Sequence, residues 1–344
     1  MPSPPQETTP RNTSDSPATA VTIGNFDGVH VGHAALVKAA RQAVGPEGSV
    51  VVLAFDPHPA SVLRPGTEPA RLTTFENRSQ TLVALGADTV ERLEPTGGLL
   101  GMTPEDFIAD VVQRHRPGFF VEGPDFHFGK GRAGNPETLR RLAAKHRFEA
   151  ITVPPMPVAL LDQSVVTASS TLARWLLENG RVRDAALMLG RPFTLTGTVV
   201  QGDRRGRTIG FPTANLAPDV LVPGPGVYAA IATVNGTRSY AAAVNIGTRP
   251  TFAGDTTRVE AHLLDTEDLT QPAPETVDGW APLPGVPEYG WPLELELVSR
   301  VRDETRFDSI EALKEQIERD VQSVRQRIGP IGPGRHQHLE STNA

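Results

Sequence analysis

The chain has 344 residues, of which 38% are hydrophobic and 21% charged, enough to bury two ordinary cores. It contains no cysteine, which excludes disulfides, thiolate catalysis and a cysteine-based zinc site. A net charge of -7, the absence of a basic-then-apolar leader and the absence of any apolar run of about 18 residues argue against nucleic-acid or membrane partners, so a cytoplasmic two-domain protein is expected.

Residues 1–18 are rich in Pro, Ser and Thr and nearly free of large apolar side chains, so they cannot offset the entropy of ordering and are expected to be a disordered tail. Val21–Gly24 reads as a strand and His33–Ala43 as a helix, which puts GNFDGVHVGH (24–33) on a strand-to-helix turn, the place where a parallel sheet binds ligands. Two further apolar runs, Val50–Phe55 and Phe119–Val121, release the polar loops DPHP and EGPDFHFGKGRAGN. Helical stretches at Glu76–Leu85 and Pro104–Arg114 complete an alternating β/α pattern.

The pattern changes after about residue 186. TLTGTVVQG, GVYAAIATVNGTRSYAAAVNIG and RVEAHLLD are short strands separated by turn residues, as in a β-barrel, and Asn235-Gly236 is a hairpin turn. Ile310, Leu313, Ile317, Val321, Val324 and Ile328 form one apolar helix face, with Asp308 and Glu311 as a capping-box variant, so a terminal helix is expected to pack on the barrel. Residues 270–288 carry five prolines and read as a loop interrupting a hairpin; residues 329–344 read as a second tail.

His30 and His33 stand three apart at a helix mouth, so both imidazoles can reach one phosphate chain while the first helical N–H groups face it. A bare HxxH also decorates helix starts, but the surrounding GNFDGVHVGH resembles the signature of the HxGH nucleotidyltransferase superfamily. SSTLARW (169–175) offers hydroxyls and Arg174 at another helix start, suited to β and γ phosphates, or to plain N-capping by Ser169. It resembles the second nucleotide motif of the same superfamily. In GDRRGRTIGFPTAN (202–215), Gly202 allows close approach to phosphate, Arg204, Arg205 and Arg207 bring charge, and Thr213 and Asn215 present hard oxygen ligands for Mg2+. The GxxxxGK[ST] pattern is missing, so any kinase here is not of the P-loop kind. Strand alternation puts Glu260 and His262 on the face opposite Val259 and Ala261.

Taken in order, GNFDGVHVGH, FDPHP, DFHFGKGRAG, SSTxxR, GDRRGRTIGFPTANL, GVYA, NIGTRPTF, VEAHLLD and RFDSIEALKEQIERDV resemble the bifunctional bacterial riboflavin kinase/FAD synthetase family over residues 19–328. The resemblance implies an α/β Rossmann-like FMN adenylyltransferase domain at 19–186 and a six-stranded β-barrel riboflavin kinase domain at 187–328 with a terminal helix. It implies riboflavin, FMN and ATP as substrates and Mg2+ as cofactor. By position it implies that His30 and His33 are the adenylyltransferase histidines and that Asn25 and Phe26 form the ATP-side turn. It makes Asp125 a flavin-loop residue, and Ser170, Thr171 and Arg174 the phosphate-binding set. In the kinase half it implies that Gly202 and Arg207 approach ATP, Thr213 and Asn215 hold Mg-ATP, Glu260 is the catalytic base, and Arg302 lies on the flavin side. The chain departs from the family pattern at Thr167, Leu172 and Leu93–Gly101. The alternatives are therefore a kinase with a degenerate first domain, or a paralogue acting on a modified flavin.

Overall fold

The computed structural model describes residues 18–251, 254–264 and 286–329. The two expected tails, and residues 270–285 of the expected proline-rich loop, lie outside the described residues. The described chain falls into two compact units, residues 18–25, 33–68 and 79–155 in the first and residues 26–32, 69–78 and 156–329 in the second.

The first unit carries a parallel sheet of β1 (Thr19–Gly24), β2 (Ser49–Phe55), β3 (Thr89–Leu93), β4 (Phe119–Glu122) and β5 (Glu149–Thr152) in the order β3-β2-β1-β4-β5. Its helices are α1 (Val31–Val44, shared with the second unit), α2 (Ala60–Leu63), α3 (Phe75–Ala84, likewise shared), α4 (Gly97–Gly101), α5 (Pro104–His115) and α6 (Pro136–His146). Ala20–Ile23 and Val50–Ala54 are buried on both faces, as expected of parallel strands sandwiched between helices. Strand order reverses beside β1, which pairs with β2 on one edge and β4 on the other. The loops leaving the carboxyl ends of β1 and β4 are GNFDG and EGPDF, so the two loops singled out in the sequence flank the topological switch point, where such sheets bind ligands.

From residue 156 the second unit continues with the hairpin β6 (Pro157–Ala159) and β7 (Val165–Thr167), followed by α7 (Ser170–Glu178) and α8 (Val182–Leu189). The remaining elements are β8 (Phe193–Val200), α9 (Arg205–Thr208), β9 (Ala214–Pro218), β10 (Gly226–Val234), β11 (Arg238–Thr251), β12 (Gly254–Leu263), β13 (Pro292–Arg302) and α10 (Ile310–Ile328). The six strands from β8 onward close into an antiparallel barrel in the order β10-β11-β12-β9-β8-β13. Tyr228, Ala230, Ala232, Val244, Val259, Ala261, Leu293 and Leu295 share one core with Ala173, Leu176, Ala185 and Met188 of α7 and α8. The composition change near residue 186 therefore marks where the barrel strands begin, while the packing change lies near residue 156.

Asn235 and Gly236 both take positive φ, 49° and 67°, the conformation an Asn-Gly hairpin turn provides. Val321, Val324 and Ile328 of α10 pack on Ala229, Ala241 and Leu264 of the barrel's outer face, as the periodicity predicts. Two details differ from expectation. Ile310 at the start of the apolar stripe is exposed. The helix is capped by Ser309, whose Oγ accepts from the Ala312 N–H at 3.1 Å, and not by a box built on Asp308, because Ser309 is the residue with extended backbone immediately before the first helical turn.

Candidate active sites

At the end of β1 the chain makes a compressed turn. Phe26, Gly28 and Val29 all have positive φ, at 49°, 78° and 42°, and the Val29 N–H closes on Phe26 O at 3.0 Å. A β-branched residue with positive φ is strained, and such a residue persists only where its surroundings hold it. Here they do. The Asp27 carboxylate accepts from the Leu72 N–H at 3.0 Å and the Thr73 N–H at 3.2 Å, and it pairs with the Arg174 guanidinium. Arg174 Nε donates to Ala70 O at 2.7 Å, and Ser170 Oγ donates to Asp27 O at 2.7 Å.

The sequence motif SSTxxR thus meets the sequence motif NFDG directly. Ser169 caps α7, its Oγ accepting from the Leu172 N–H at 3.2 Å, while Thr171 faces solvent. Arg174 is anchored by Asp27, a partner that sequence reading did not identify because it lies 147 residues away.

His30 is buried, and its Nδ1 accepts from the Gly32 N–H at 3.1 Å. That bond leaves the ring proton on Nε2, which is the donor a developing negative charge on phosphorus requires. It also explains the glycine of HVGH, since an added Cβ at Gly32 would lie 3.0 Å from the His30 ring. His33 occupies the first turn of α1 and is half-buried. Asn25 Nδ2 lies 3.2 Å from His58 Nε2, joining the turn to the FDPHP loop.

On the neighbouring strand Glu122 is buried, with its Oε1 accepting from the Ile23 N–H at 2.7 Å. Burial pushes its pKa well above the usual carboxylate range, and Asp125 adds to the effect. Asp125 itself is exposed on the loop that follows, with its carbonyl oxygen 2.7 Å from His127 Nδ1.

In the barrel, Val259 and Ala261 point into the core, so Glu260 stands on the outer face. Strand register places Glu260 directly opposite Asn215 of β9 on one side and Asn245 of β11 on the other. Directly opposed residues of antiparallel strands share a face, with Cβ atoms about 5 Å apart. Glu260 is therefore flanked by two amide side chains, of which Asn245 was not singled out in the sequence.

The glycine-arginine loop lies against this face. A Cβ at Gly202 would fall 2.2 Å from the Asn215 amide, and one at Gly206 would fall 2.3 Å from Phe211 O and 3.4 Å from Thr213 Oγ1. Two residues beyond Glu260, His262 Nδ1 donates to Pro212 O at 2.8 Å and its ring meets Phe211 edge-on. Burial lowers the His262 pKa, which keeps the ring neutral. Arg258, two residues before Glu260, pairs with Asp203 at 2.8 Å. Alternate residues of β12 thus hold successive points of the loop and of FPTAN.

Arg207 pairs with Glu288 at 2.8 Å, and Tyr289 donates to the same carboxylate at 2.9 Å. The Arg302 guanidinium grips the buried Asp320 carboxylate of α10 at 2.8 to 3.1 Å.

Comparison with known proteins agrees with this division of the chain. A riboflavin kinase family model matches residues 189–328 and an FAD synthetase family model matches residues 12–169. The protein named bifunctional riboflavin kinase/FMN adenylyltransferase in Escherichia coli (strain K12) is 35% identical over 317 residues, covering 91% of this chain and 94% of the relative. The chain belongs to the bifunctional riboflavin kinase/FMN adenylyltransferase family. A second member, from Bacillus subtilis (strain 168), is 33% identical over 88% of this chain and 90% of its own.

A crystal structure titled macrolide-efflux protein from Streptococcus pneumoniae aligns with a TM-score of 0.74 at 28% identity, covering 91% of this chain and 95% of that one. Among the described residues of this chain, no helix is long and apolar enough to cross a membrane.

Proposed function

We propose that the barrel transfers the γ-phosphoryl group of ATP to the 5′-hydroxyl of riboflavin, and that the α/β domain then joins the resulting FMN to the adenylyl group of ATP, releasing pyrophosphate. Presence of both family domains in one chain favours this reading over a kinase with a degenerate first domain. The domain limits we assign to these activities are 19–186 and 187–328, and cytoplasmic location fits a soluble substrate set. The observation that carries the kinase half is the register of Glu260 against Asn215 and Asn245 on the face covered by the glycine-arginine loop.

The two halves face different chemistry. The riboflavin 5′-hydroxyl is neutral and must lose a proton as it attacks, so a carboxylate within hydrogen-bond reach is useful. Glu260 takes that proton. Thr213 and Asn215 offer a hydroxyl and an amide oxygen, hard ligands that fit Mg2+ once ATP oxygens complete the shell. Gly202 packs directly against the Asn215 amide, so any side chain there would collide with that proposed ligand. A cation held there would screen the charge of the triphosphate.

The FMN phosphate, with a second pKa of about 6, is largely ionised near neutral pH and needs no base. The first half supplies alignment and charge stabilisation, through His30 and His33 on the α-phosphate and Ser170, Thr171 and Arg174 toward the outgoing pyrophosphate. Asp125 and Arg302 are the residues we assign to flavin contacts, the first in adenylylation and the second in the kinase reaction. Incubating the protein with riboflavin, ATP and Mg2+ and separating the flavins by chromatography tests the reading; FMN followed by FAD is expected.

A further inference from the structure

Arg191 belongs to LGRPF, two residues before the first barrel strand, and lies within the segment matched by the riboflavin kinase model. Its side chain nevertheless turns to the strained turn of the adenylyltransferase motif. Nη2 donates to Gly28 O at 2.8 Å and Nη1 donates to Val29 O at 2.9 Å and to Leu189 O at 3.1 Å. Gly28 and Val29 are two of the positive-φ residues of that turn, and Val29 leads directly into His30. No carboxylate pairs with Arg191 among the described residues. Loss of solvent lowers its pKa to about 10, which still leaves it charged at neutral pH. Arg174 sits on the same turn but is neutralised by Asp27.

We infer that Arg191 is a positioning residue for FMN adenylylation, one that fixes the carbonyls of Gly28 and Val29 so that His30 is aimed at the phosphate and that adds an uncompensated positive charge beneath the ATP turn. This inference rests on the adenylyltransferase reading of that turn. A guanidinium bridging three carbonyls is a task for arginine, because an ammonium is a point charge and a neutral amide carries no charge. The segment that leads into the barrel thus also supplies a side chain to the turn that precedes His30.

The test uses the full-length protein with Arg191→Gln and Arg191→Lys, assayed separately for FAD formation from supplied FMN and for phosphorylation of riboflavin. Misalignment of a catalytic group by about 1 Å costs on the order of a hundredfold. Arg191→Gln is therefore expected to lower kcat for adenylylation by at least about tenfold with KM for FMN nearly unchanged, and to keep riboflavin phosphorylation near wild type. Arg191→Lys, which keeps the charge but not the bridge, is expected to fall between the two. Guanidinium ion added to Arg191→Ala is expected to restore part of the adenylylation rate, an effect that a purely structural role would not produce.

Adenylylation at the wild-type rate in Arg191→Gln overturns the inference, as does parallel loss of both activities in the Gln and Lys variants. A wild-type enzyme that makes no FAD from FMN would instead overturn the underlying functional reading.

Discussion

Glu260 is the residue on which the kinase chemistry turns, and substitution by glutamine separates its proton from its shape. Glu260→Gln keeps the hydrogen-bonding outline between Asn215 and Asn245 but cannot accept a proton. General-base help is worth about 10²- to 10⁴-fold, so single-turnover phosphorylation of riboflavin is expected to slow within that range while FMN adenylylation persists. Phosphorylation at nearly the wild-type rate would remove Glu260 from the mechanism.

Glu122 gives a second expectation at this scale. Its folded pKa is raised above the unfolded value, so the folded state holds the proton more tightly. Its contribution to stability is complete below the ordinary glutamate pKa and is lost as pH rises through the folded pKa. Glu122→Gln preserves the acceptor for the Ile23 N–H and removes the ionisation. Thermal melts from pH 5 to pH 9, taken as about the working range of carboxyl-linked stability, are expected to show a wild type that loses stability at alkaline pH relative to the variant. Matching pH profiles would refute this.

At the scale of elements, the sequence was most legible where periodicity and turn chemistry act locally. Three of the five parallel strands, β1, β2 and β4, the Asn235-Gly236 hairpin and the spacing of α10 all follow from residues within a few positions of one another, whereas β3 and β5, which are less apolar, are not legible as strands. Placement of Glu260 opposite the core-facing Val259 and Ala261 likewise needed only strand alternation. What the sequence did not reveal depends on distant contacts. Asp27 finds Arg174 147 residues away, and Arg191 reaches Gly28 across 163. Asn245 joins Glu260 through a strand register that no local pattern encodes. Glu122 reads as the first residue of the polar loop EGPDFHFGKGRAGN, whereas it is the buried last residue of β4.

The cap of α10 was off by one residue because Asp308 and Ser309 are both good caps and only backbone geometry chooses between them. Ser309→Ala is therefore expected to cost about 1 kcal/mol of stability, whereas Asp308→Ala is expected to change the melting temperature little. Equal loss in the two variants, measured by thermal denaturation, would contradict the assignment.

For the molecule as a whole, two activities carried by separate residue sets should be separable by mutation. His33→Ala is expected to abolish FAD formation and leave riboflavin phosphorylation near wild type, because His33 lies at the mouth of α1 and no barrel strand includes it. Asn215→Ala is expected to do the reverse, since Asn215 lies in β9 opposite Glu260. Assays that follow each step with its own flavin substrate check both, and loss of both activities in either folded variant would mean that the sites are not independent.

The most direct measurement supplies the purified protein with ATP and Mg2+ and either riboflavin or FMN, and resolves the products by chromatography over time. Riboflavin is expected to give FMN first and FAD after a lag, and supplied FMN is expected to give FAD with no lag and equimolar pyrophosphate. FMN as the sole product from riboflavin, together with unchanged FMN in the second reaction, would contradict the bifunctional account.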